Sequence, residues 1–190
     1  MLSGNKGEWS ELYVFLKLLA DGKLYGADSD INILENIYFD ILSIYRREKE
    51  GTYTYSPQNT TDSVKIQLPN EQLEIPAAEF LAYANIILEQ IKNHKTGSLQ
   101  IDTVSKFAER IKVNGLKAPS QSKADIEMKV YDYRTAYEPE FSFSIKSQLG
   151  SPATLLNASR ATQFVYRLKG VVTKELIESF NAEKNFRKKF

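Results

Sequence analysis

Two short segments in the second half of this chain, residues 124–131 and 141–148, alternate apolar and polar side chains in the way that half-buried β-strands do. Residues 134–140 between them contain a proline, which would end strand pairing there. The sequence therefore predicts an antiparallel hairpin, and this hairpin constrains the fold more than any other feature.

The polar residues of the two segments share one face of the predicted hairpin. If the turn is symmetric, Asp125 lies nearly opposite Lys146 and Glu127 lies nearly opposite Ser144. A carboxylate and an amine then converge at the open end of the hairpin.

The remaining segments predict a layered arrangement of helices and strands. Helical spacing and end signals favour helices at residues 7–20, 76–95, 104–111, 152–168 and 172–180, the last capped by Thr173, and strand patterns favour a second hairpin from 52–55 and 64–68. Residues 37–46 fit either a strand or a helix. We therefore predict an α/β fold in which a mixed sheet is flanked by helices and the site lies at one sheet edge.

The length and apolar content are sufficient for one substantial core. The chain has 190 residues, of which 42% are hydrophobic. We predict a single domain over residues 1–190, in which residues 22–118 either join the core or hold a helical and hairpin insertion and the hairpin spans 124–148.

Composition excludes several classes of site. The chain has no cysteine and one histidine, His94, so zinc fingers, disulfide frameworks, cysteine nucleophiles and Ser-His-Asp triads are excluded. The net charge of +1 does not indicate a polyanion partner, and we interpret the basic groups at Arg46-Arg47, 92–95 and 187–189 as solvated surface. No apolar run reaches the roughly 18 residues of a membrane span. We expect a soluble, cytoplasmic protein without a membrane partner.

The remaining chemistry fits metal-assisted hydrolysis of a phosphodiester. That reaction needs a divalent cation beside the phosphate, a polarised water and a positive group to orient the water. Magnesium prefers oxygen ligands and keeps several of its waters, so one or two carboxylates suffice. Asp125 is the first candidate ligand, and Lys146 is the candidate for orienting the water or the phosphate.

An aspartate, a turn and a strand that ends in x-x-Lys form the PD-(D/E)xK nuclease signature. The sequence around these residues is more specific, because four of its segments resemble the HpaII-type restriction endonucleases. These segments are NKGEWSELYV at residues 5–14, LKA at 116–118, KADI at 123–126 and FSIKSQLGSPATLLN at 143–157. The resemblance covers residue 5 to about residue 168. Family members are longer, so this chain is expected to correspond to their N-terminal part.

The resemblance implies a restriction-endonuclease-like fold and a type II enzyme. Such an enzyme hydrolyses double-stranded DNA with Mg²⁺ at a short palindrome, CCGG for the namesake of the family. A palindromic target favours a two-fold homodimer. The alternatives are a degenerate nuclease fold or DNA-binding module without catalysis and, less favoured, a structural or interaction protein.

One residue departs from the signature. Ser144 occupies the position that usually carries an acid, and a serine is a poor magnesium ligand. Some proteins of the wider superfamily replace this acid from a helix about a dozen residues downstream, but residues 157–160 contain no acid here. We rank Glu8 and Glu127 close together as replacements, with Glu11 third.

Further candidates surround this site. Gln148 is either an accessory site residue or an ordinary strand end. Asn157, Arg160 and Gln163 recur at helical spacing and have the chemistry to contact DNA bases or phosphates, although an exposed helix face explains them equally well. The two acids of the first helix could also simply favour its N-terminus through the helix dipole.

Overall fold

The computed structural model describes residues 1–48, 50–95, 97–117, 124–149 and 173–182. The chain forms two compact units, Met1–Ala153 and Thr154–Phe190. In the first unit the described elements are β1 (Ser3–Gly4), α1 (Lys6–Asp21), β2 (Lys23–Ala27), β3 (Ile33–Glu48), β4 (Gly51–Gln58), β5 (Ser63–Gln67), β6 (Gln72–Pro76), α2 (Ala77–Asn93), β7 (Leu99–Gln100), α3 (Asp102–Arg110), β8 (Ile126–Tyr131) and β9 (Glu140–Phe143). The described part of the second unit is helix α4 (Lys174–Ala182).

A seven-stranded sheet organises the first unit. Its strand order is β6-β5-β4-β3-β8-β9, and β2 also pairs with β3. Every described pair in this sheet is antiparallel. The predicted α/β fold is confirmed, but the described strands form an antiparallel sheet where a mixed sheet was predicted. The β8–β9 hairpin forms one end of this sheet.

Strand β3 connects the two halves of the sheet. Residues 37–46, which the sequence left open between helix and strand, lie within this 16-residue strand. Its first half pairs with β2, its second half pairs with β4, and β8 pairs with its middle. The many β-branched and aromatic residues in this segment favour the extended form.

Helix α1 begins and ends where its sequence directs. The Asn5 side chain accepts from the Glu8 backbone N–H, the Glu8 carboxylate accepts from the Asn5 N–H, and together they form a capping box. The helix stops at Gly22, whose φ of 64° lies in the left-handed region that glycine adopts most easily. The prediction of a helix over residues 7–20 is confirmed.

The core lies between the helices and one face of the sheet. Helix α1 contributes Trp9, Leu12, Phe15, Leu16 and Leu19, and α2, α3 and strands β3, β4, β5 and β8 complete the same cluster. The Trp9 indole donates to the Leu99 carbonyl oxygen at 2.9 Å, which satisfies its buried N–H. Because α1 carries so much of the core, the position of its polar face is fixed by packing.

The predicted helices in the described residues are confirmed with small changes of bounds. The prediction for residues 76–95 corresponds to α2, and the prediction for 104–111 overlaps α3. The Leu176 N–H donates to the Thr173 hydroxyl at the start of α4. The helix predicted at 152–168 lies outside the described residues. Among the described helices, none is long and apolar enough to cross a membrane.

The predicted register of the β8–β9 hairpin is wrong by two residues. Glu127 lies opposite Ser142, not Ser144, and β9 ends at Phe143, before Lys146. A shift of two keeps the same side chains on the same face.

The cause is a turn that starts earlier than the sequence suggested. The Asp132 carboxylate accepts from the Arg134 N–H, and the Asp132 carbonyl accepts from the Ala136 N–H at 2.8 Å. Pro139 does not end the pairing, because its carbonyl oxygen still accepts from the Val130 N–H at 3.0 Å.

We expect Asp132→Ala to lower the melting temperature by roughly 2–5 °C, because the turn loses its side-chain acceptor. Asp132→Asn should retain most of the stability, since an amide oxygen can accept the same N–H bond. Thermal unfolding followed by circular dichroism measures both. Equal melting temperatures for the two variants would show that the side chain does not set this turn.

Candidate functional site

Asp125 lies just before β8 and holds the chain that leaves β9. Its backbone N–H donates to the Phe143 carbonyl oxygen at 2.9 Å, and its carboxylate oxygen Oδ2 accepts from the Ile145 N–H at 2.7 Å. Ile145 separates Ser144 from Lys146, and both of these side chains are exposed. The Ser-Ile-Lys segment of the signature is therefore fixed directly beside Asp125, although no strand pairing places it there.

Helix α1 lies against the residues that follow Lys146. The hydroxyl groups of Ser10 and Ser147 form a hydrogen bond of 2.9 Å, and the Lys6 ammonium donates to the Leu149 carbonyl oxygen at 3.3 Å. Ser10 is buried, with 5% of its surface exposed. These two contacts attach the segment that carries Lys146 to the first turns of α1.

The same packing brings Glu11 to Asp125. Both side chains line one small pocket, together with Phe15, Tyr45, Arg46, Leu116 and Ile126. Burial raises the pKa of Glu11 to about 7, and the negative charge of Asp125 contributes to the rise. The positive charges of Lys117 and Arg46 act in the opposite direction. Two carboxylates in one partly buried pocket form an arrangement that a cation would stabilise.

Arg46 was interpreted from sequence as solvated surface, and that interpretation is wrong. Its side chain is only 4% exposed, and it donates to the Gly115 carbonyl oxygen at 2.8 Å. It forms an ion pair with Glu48 at 3.4 Å and lies over the Phe15 ring at 5.1 Å. Burial lowers the pKa of this guanidinium, while Glu48 favours its charged form. In β3, Arg46 shares the core-facing alternation of Ile44, a signal that is visible only once the strand is known.

Glu8, one of the two preferred sequence candidates, is committed to the start of α1. Its carboxylate accepts the Asn5 N–H at 2.8 Å and pairs with Lys117 at 3.3 Å. The hydrogen bond from Asn5 is the main reason why the pKa of Glu8 is lowered. Glu8 therefore already has partners that explain its position.

Glu127, the other preferred candidate, lies on the opposite side of β8 from the core. Its neighbours Ile126 and Met128 are buried and belong to the cluster that packs on α1, so the alternation of the strand directs Glu127 away from that helix. It forms an ion pair with Arg47 at 3.2 Å. The structure therefore separates Glu127 from the pocket that holds Glu11 and Asp125.

The structure says less about the candidate residues that follow Lys146 in the sequence. Gln148 is exposed in a bend after Lys146, so the predicted strand does not reach it. Asn157, Arg160 and Gln163 lie outside the described residues, and their DNA contacts stay predictions. In the described ranges, no group of three or more His, Cys, Asp or Glu side chains is placed to hold a metal ion.

Sequence reasoning missed Ser10, Lys117 and Arg46 as parts of this region. Ser10 gave a weak signal as a polar residue beside the apolar stripe of α1. Lys117 belonged to a quoted motif, but nothing in the sequence placed it near the first helix.

Comparisons with known proteins show which family the sequence resembles. A family model described as the HpaII restriction endonuclease matches residues 5–189. The type II restriction enzyme HpaII of Haemophilus parainfluenzae is 42% identical over 188 residues, which cover 98% of this chain and 52% of that enzyme. The chain thus spans about half the length of the curated relative that it matches. No solved structure gives a significant match.

We expect the stability of the metal-free protein to fall as the pH rises through about 7, because the folded state holds the Glu11 proton more tightly than the unfolded state does. The stabilisation is complete below the ordinary pKa of 4.5 and is lost above the folded value of about 7. Glu11→Gln cannot ionise, so it should exceed the wild type by about 1–2 kcal/mol at pH 8, less than the full shift would give because the group is only half-buried. Urea unfolding in EDTA at pH 5 and pH 8 measures the difference.

The matched control for this experiment is Glu89→Gln on the exposed side of α2, where the carboxylate pairs with Lys92 at 3.3 Å. This variant should show no comparable gain between the two pH values. If Glu11→Gln has the same advantage at pH 5 and pH 8, the carboxylate does not titrate as described.

Ser10→Ala should loosen the segment around Lys146, because it removes the hydrogen bond to Ser147. We expect hydrogen exchange of the backbone amides of residues 146–149 to accelerate about 5- to 10-fold, which corresponds to the loss of one hydrogen bond. Ser105→Ala is the matched control. Ser105 is a buried helical serine that also bonds the carbonyl four residues earlier and one N–H of another segment, that of Leu2. Equal exchange in both variants would contradict the assignment.

Proposed function

The chain belongs to the HpaII restriction endonuclease family, and from this premise we propose that it hydrolyses double-stranded DNA at a short palindromic site. From the family resemblance of its sequence motifs the proposed site is CCGG, and the proposed products carry 5′-phosphate and 3′-hydroxyl ends. The observation that carries the proposal is the placement of Glu11 and Asp125 in one pocket, with Asp125 bonded to the backbone beside Lys146.

A divalent cation, proposed to be Mg²⁺, fits the chemistry of this pocket. Glu11 and Asp125 offer carboxylate oxygens, the ligand type that Mg²⁺ prefers, and two protein ligands leave room for its waters. Their mutual repulsion, part of the reason for the raised pKa of Glu11, is relieved when a cation lies between them. The bound metal would neutralise charge on the phosphate and polarise the attacking water.

Three further residues orient the groups of this pocket or balance their charge. The Ile145 N–H holds the Asp125 carboxylate in one orientation, which limits the rearrangement needed for binding. Lys146 is proposed to orient the attacking water or the scissile phosphate from the adjoining backbone position. Arg46 lies buried beside the pocket, and its fixed charge offsets part of the negative charge of the two acids.

We propose Glu11 as the acid that compensates for Ser144. Glu8 is engaged by Asn5 and Lys117, and Glu127 lies beyond the strand on the side away from α1. Glu11 was third among the sequence candidates, and its proximity to Asp125 supports moving it to first place.

The proposal extends to the assembly and setting of the enzyme. The nuclease site is proposed to reside in the unit Met1–Ala153. Cleavage of both strands of a palindrome favours a two-fold homodimer, in which each copy acts on one strand. A cytoplasmic location is proposed from the DNA substrate alone.

The test is cleavage of a plasmid that contains CCGG, in Mg²⁺ and with an EDTA control. The wild type should linearise the plasmid only in Mg²⁺. Asp125→Asn, Glu11→Gln and Lys146→Ala should each reduce the rate by about 10²-fold or more, as expected for loss of a metal ligand or a proton-handling group. Circular dichroism checks that each variant folds.

Glu127→Gln is the matched control, because it changes a carboxylate of the same hairpin on the other side. Its cleavage rate should stay within about threefold of the wild type, as for most surface substitutions. Undiminished cleavage by Glu11→Gln together with a large loss in Glu127→Gln would reverse the choice of the second acid. Undiminished cleavage by Asp125→Asn would overturn the site as a whole.

The second candidate function is a DNA-binding module without catalysis. Ser144, which takes the place of an acid in the signature, favours it. The same assay separates the two functions, because the module would retain DNA at low salt but would leave the plasmid intact in Mg²⁺.

A further inference from the structure

We propose that Lys6 and Lys117 bind DNA phosphates on the two sides of the Glu11–Asp125 pocket. The inference rests on the DNA substrate proposed above and adds residues that the nuclease signature does not include. It is drawn from how three separate chain segments meet at the first turns of α1.

Lys6 occupies an unfavourable position for a cation. It is the first residue of α1, where the positive end of the helix dipole repels a positive charge. Its ammonium donates to the Leu149 carbonyl oxygen at 3.3 Å, and within the described residues it forms no ion pair with an acid. This ammonium therefore keeps hydrogen-bonding capacity for an anion and gains little from its present surroundings.

Lys117 reaches the same helix end from the segment that follows α3. Its side chain is 55% exposed and pairs with Glu8 at 3.3 Å. The positive charge of Lys117 also opposes the rise in the pKa of Glu11, so the ammonium lies within electrostatic range of the pocket. An exposed ion pair of this kind is weak, and a phosphate can compete with Glu8 for the ammonium.

The helix geometry places these two cations on opposite sides of Glu11. With 3.6 residues per turn, Ser10 lies roughly 100° to one side of Glu11 around the axis, and Glu8 lies roughly 60° to the other. Lys6 lies on the Ser10 side, one turn earlier, and Lys117 is on the Glu8 side. A phosphodiester in the pocket would thus have one ammonium on each side.

A purely structural role explains the two lysines less well. Lys6 opposes the helix dipole, and the Lys117–Glu8 pair is too exposed to stabilise the fold much. Contacts to phosphate, by contrast, are the main sequence-independent source of affinity for DNA.

The experiment is a salt titration of DNA binding in EDTA, where a fluorescein-labelled duplex containing CCGG is bound but not cut. Lys6→Gln and Lys117→Gln should each weaken binding about 3- to 10-fold near 0.1 M salt and reduce the slope of log K against log salt by about 1. Lys6→Arg and Lys117→Arg keep the charge and should keep the slope. A structural role alone would move the melting temperature and leave the slope unchanged.

Lys112→Gln is the matched control. Its ammonium pairs with Glu71 at 3.4 Å, and it is exposed to a similar degree, but its partner lies in the β5–β6 turn. It should leave both affinity and slope near the wild-type values. Glu8→Gln adds a test in the opposite direction, because glutamine at this position still completes a capping box while Lys117 is released. This variant should bind DNA equally well or more tightly.

The outcomes distinguish this inference from the proposed function. If the wild type binds the duplex and both lysine-to-glutamine variants keep its slope, or if Glu8→Gln binds more weakly, the inference is overturned and the proposed function stands. If the wild type neither binds the duplex at low salt nor cleaves the plasmid in Mg²⁺, the proposed function fails and the inference fails with it.

Discussion

The hydrogen bond from the Ile145 N–H to the Asp125 carboxylate determines how the site is assembled. Strand β9 ends at Phe143, so no ladder of backbone bonds continues to Lys146. The carboxylate takes over as acceptor at the next position and keeps the chain beside β8. A group proposed to bind metal thus also holds the segment that carries the proposed water-orienting lysine, and the two roles need the same orientation of Asp125.

The hydrophobic core supplies the second constraint. Trp9, Leu12 and Leu16 of α1 are almost fully buried, so the helix cannot rotate without exposing them. Ser10 and Glu11 share these turns, and their positions follow from that packing. The burial that raises the pKa of Glu11 therefore arises from the fold and opposes ionisation, while Arg46 and Lys117 favour it. Opposing contributions of this kind are common at sites where a charged group must meet a ligand.

The sequence was informative where structure is decided locally. The capping box and Gly22 define α1, the alternation defines the two faces of β8, and Asp125 and Lys146 were predicted as site residues from the hairpin and the signature. The predicted register was wrong because the sequence placed the turn at residues 134–140, whereas the Asp132 carboxylate and carbonyl oxygens accept N–H bonds that start the turn earlier. The ranking of Glu8, Glu11 and Glu127 could not be decided from the sequence, for another reason. Which glutamate lies near Asp125 depends on how α1 is rotated about its axis against β8. These two elements are distant in sequence, so no local sequence pattern indicates that rotation.

The burial of Arg46 is a second feature that local sequence patterns could not predict. A pair of arginines in sequence is most often solvated, and Arg47 follows that rule with an exposed ion pair to Glu127. Arg46 is buried because β3 alternates and because Glu48, Gly115 and the Phe15 ring together satisfy its guanidinium. Burial of one member of the pair followed from its partners in space, which the sequence alone does not supply.

The serine at position 144 is consistent with a site that takes its second acid from α1. An acid at this position would lie next to the Ile145 N–H and Asp125, and a third carboxylate would add to the repulsion that Glu11 already experiences. That repulsion would raise the pKa of Glu11 further and leave it protonated over a wider pH range. A neutral hydroxyl avoids this. In such an arrangement, a neutral residue at position 144 and an acid on α1 together limit the repulsion among the carboxylates of the site.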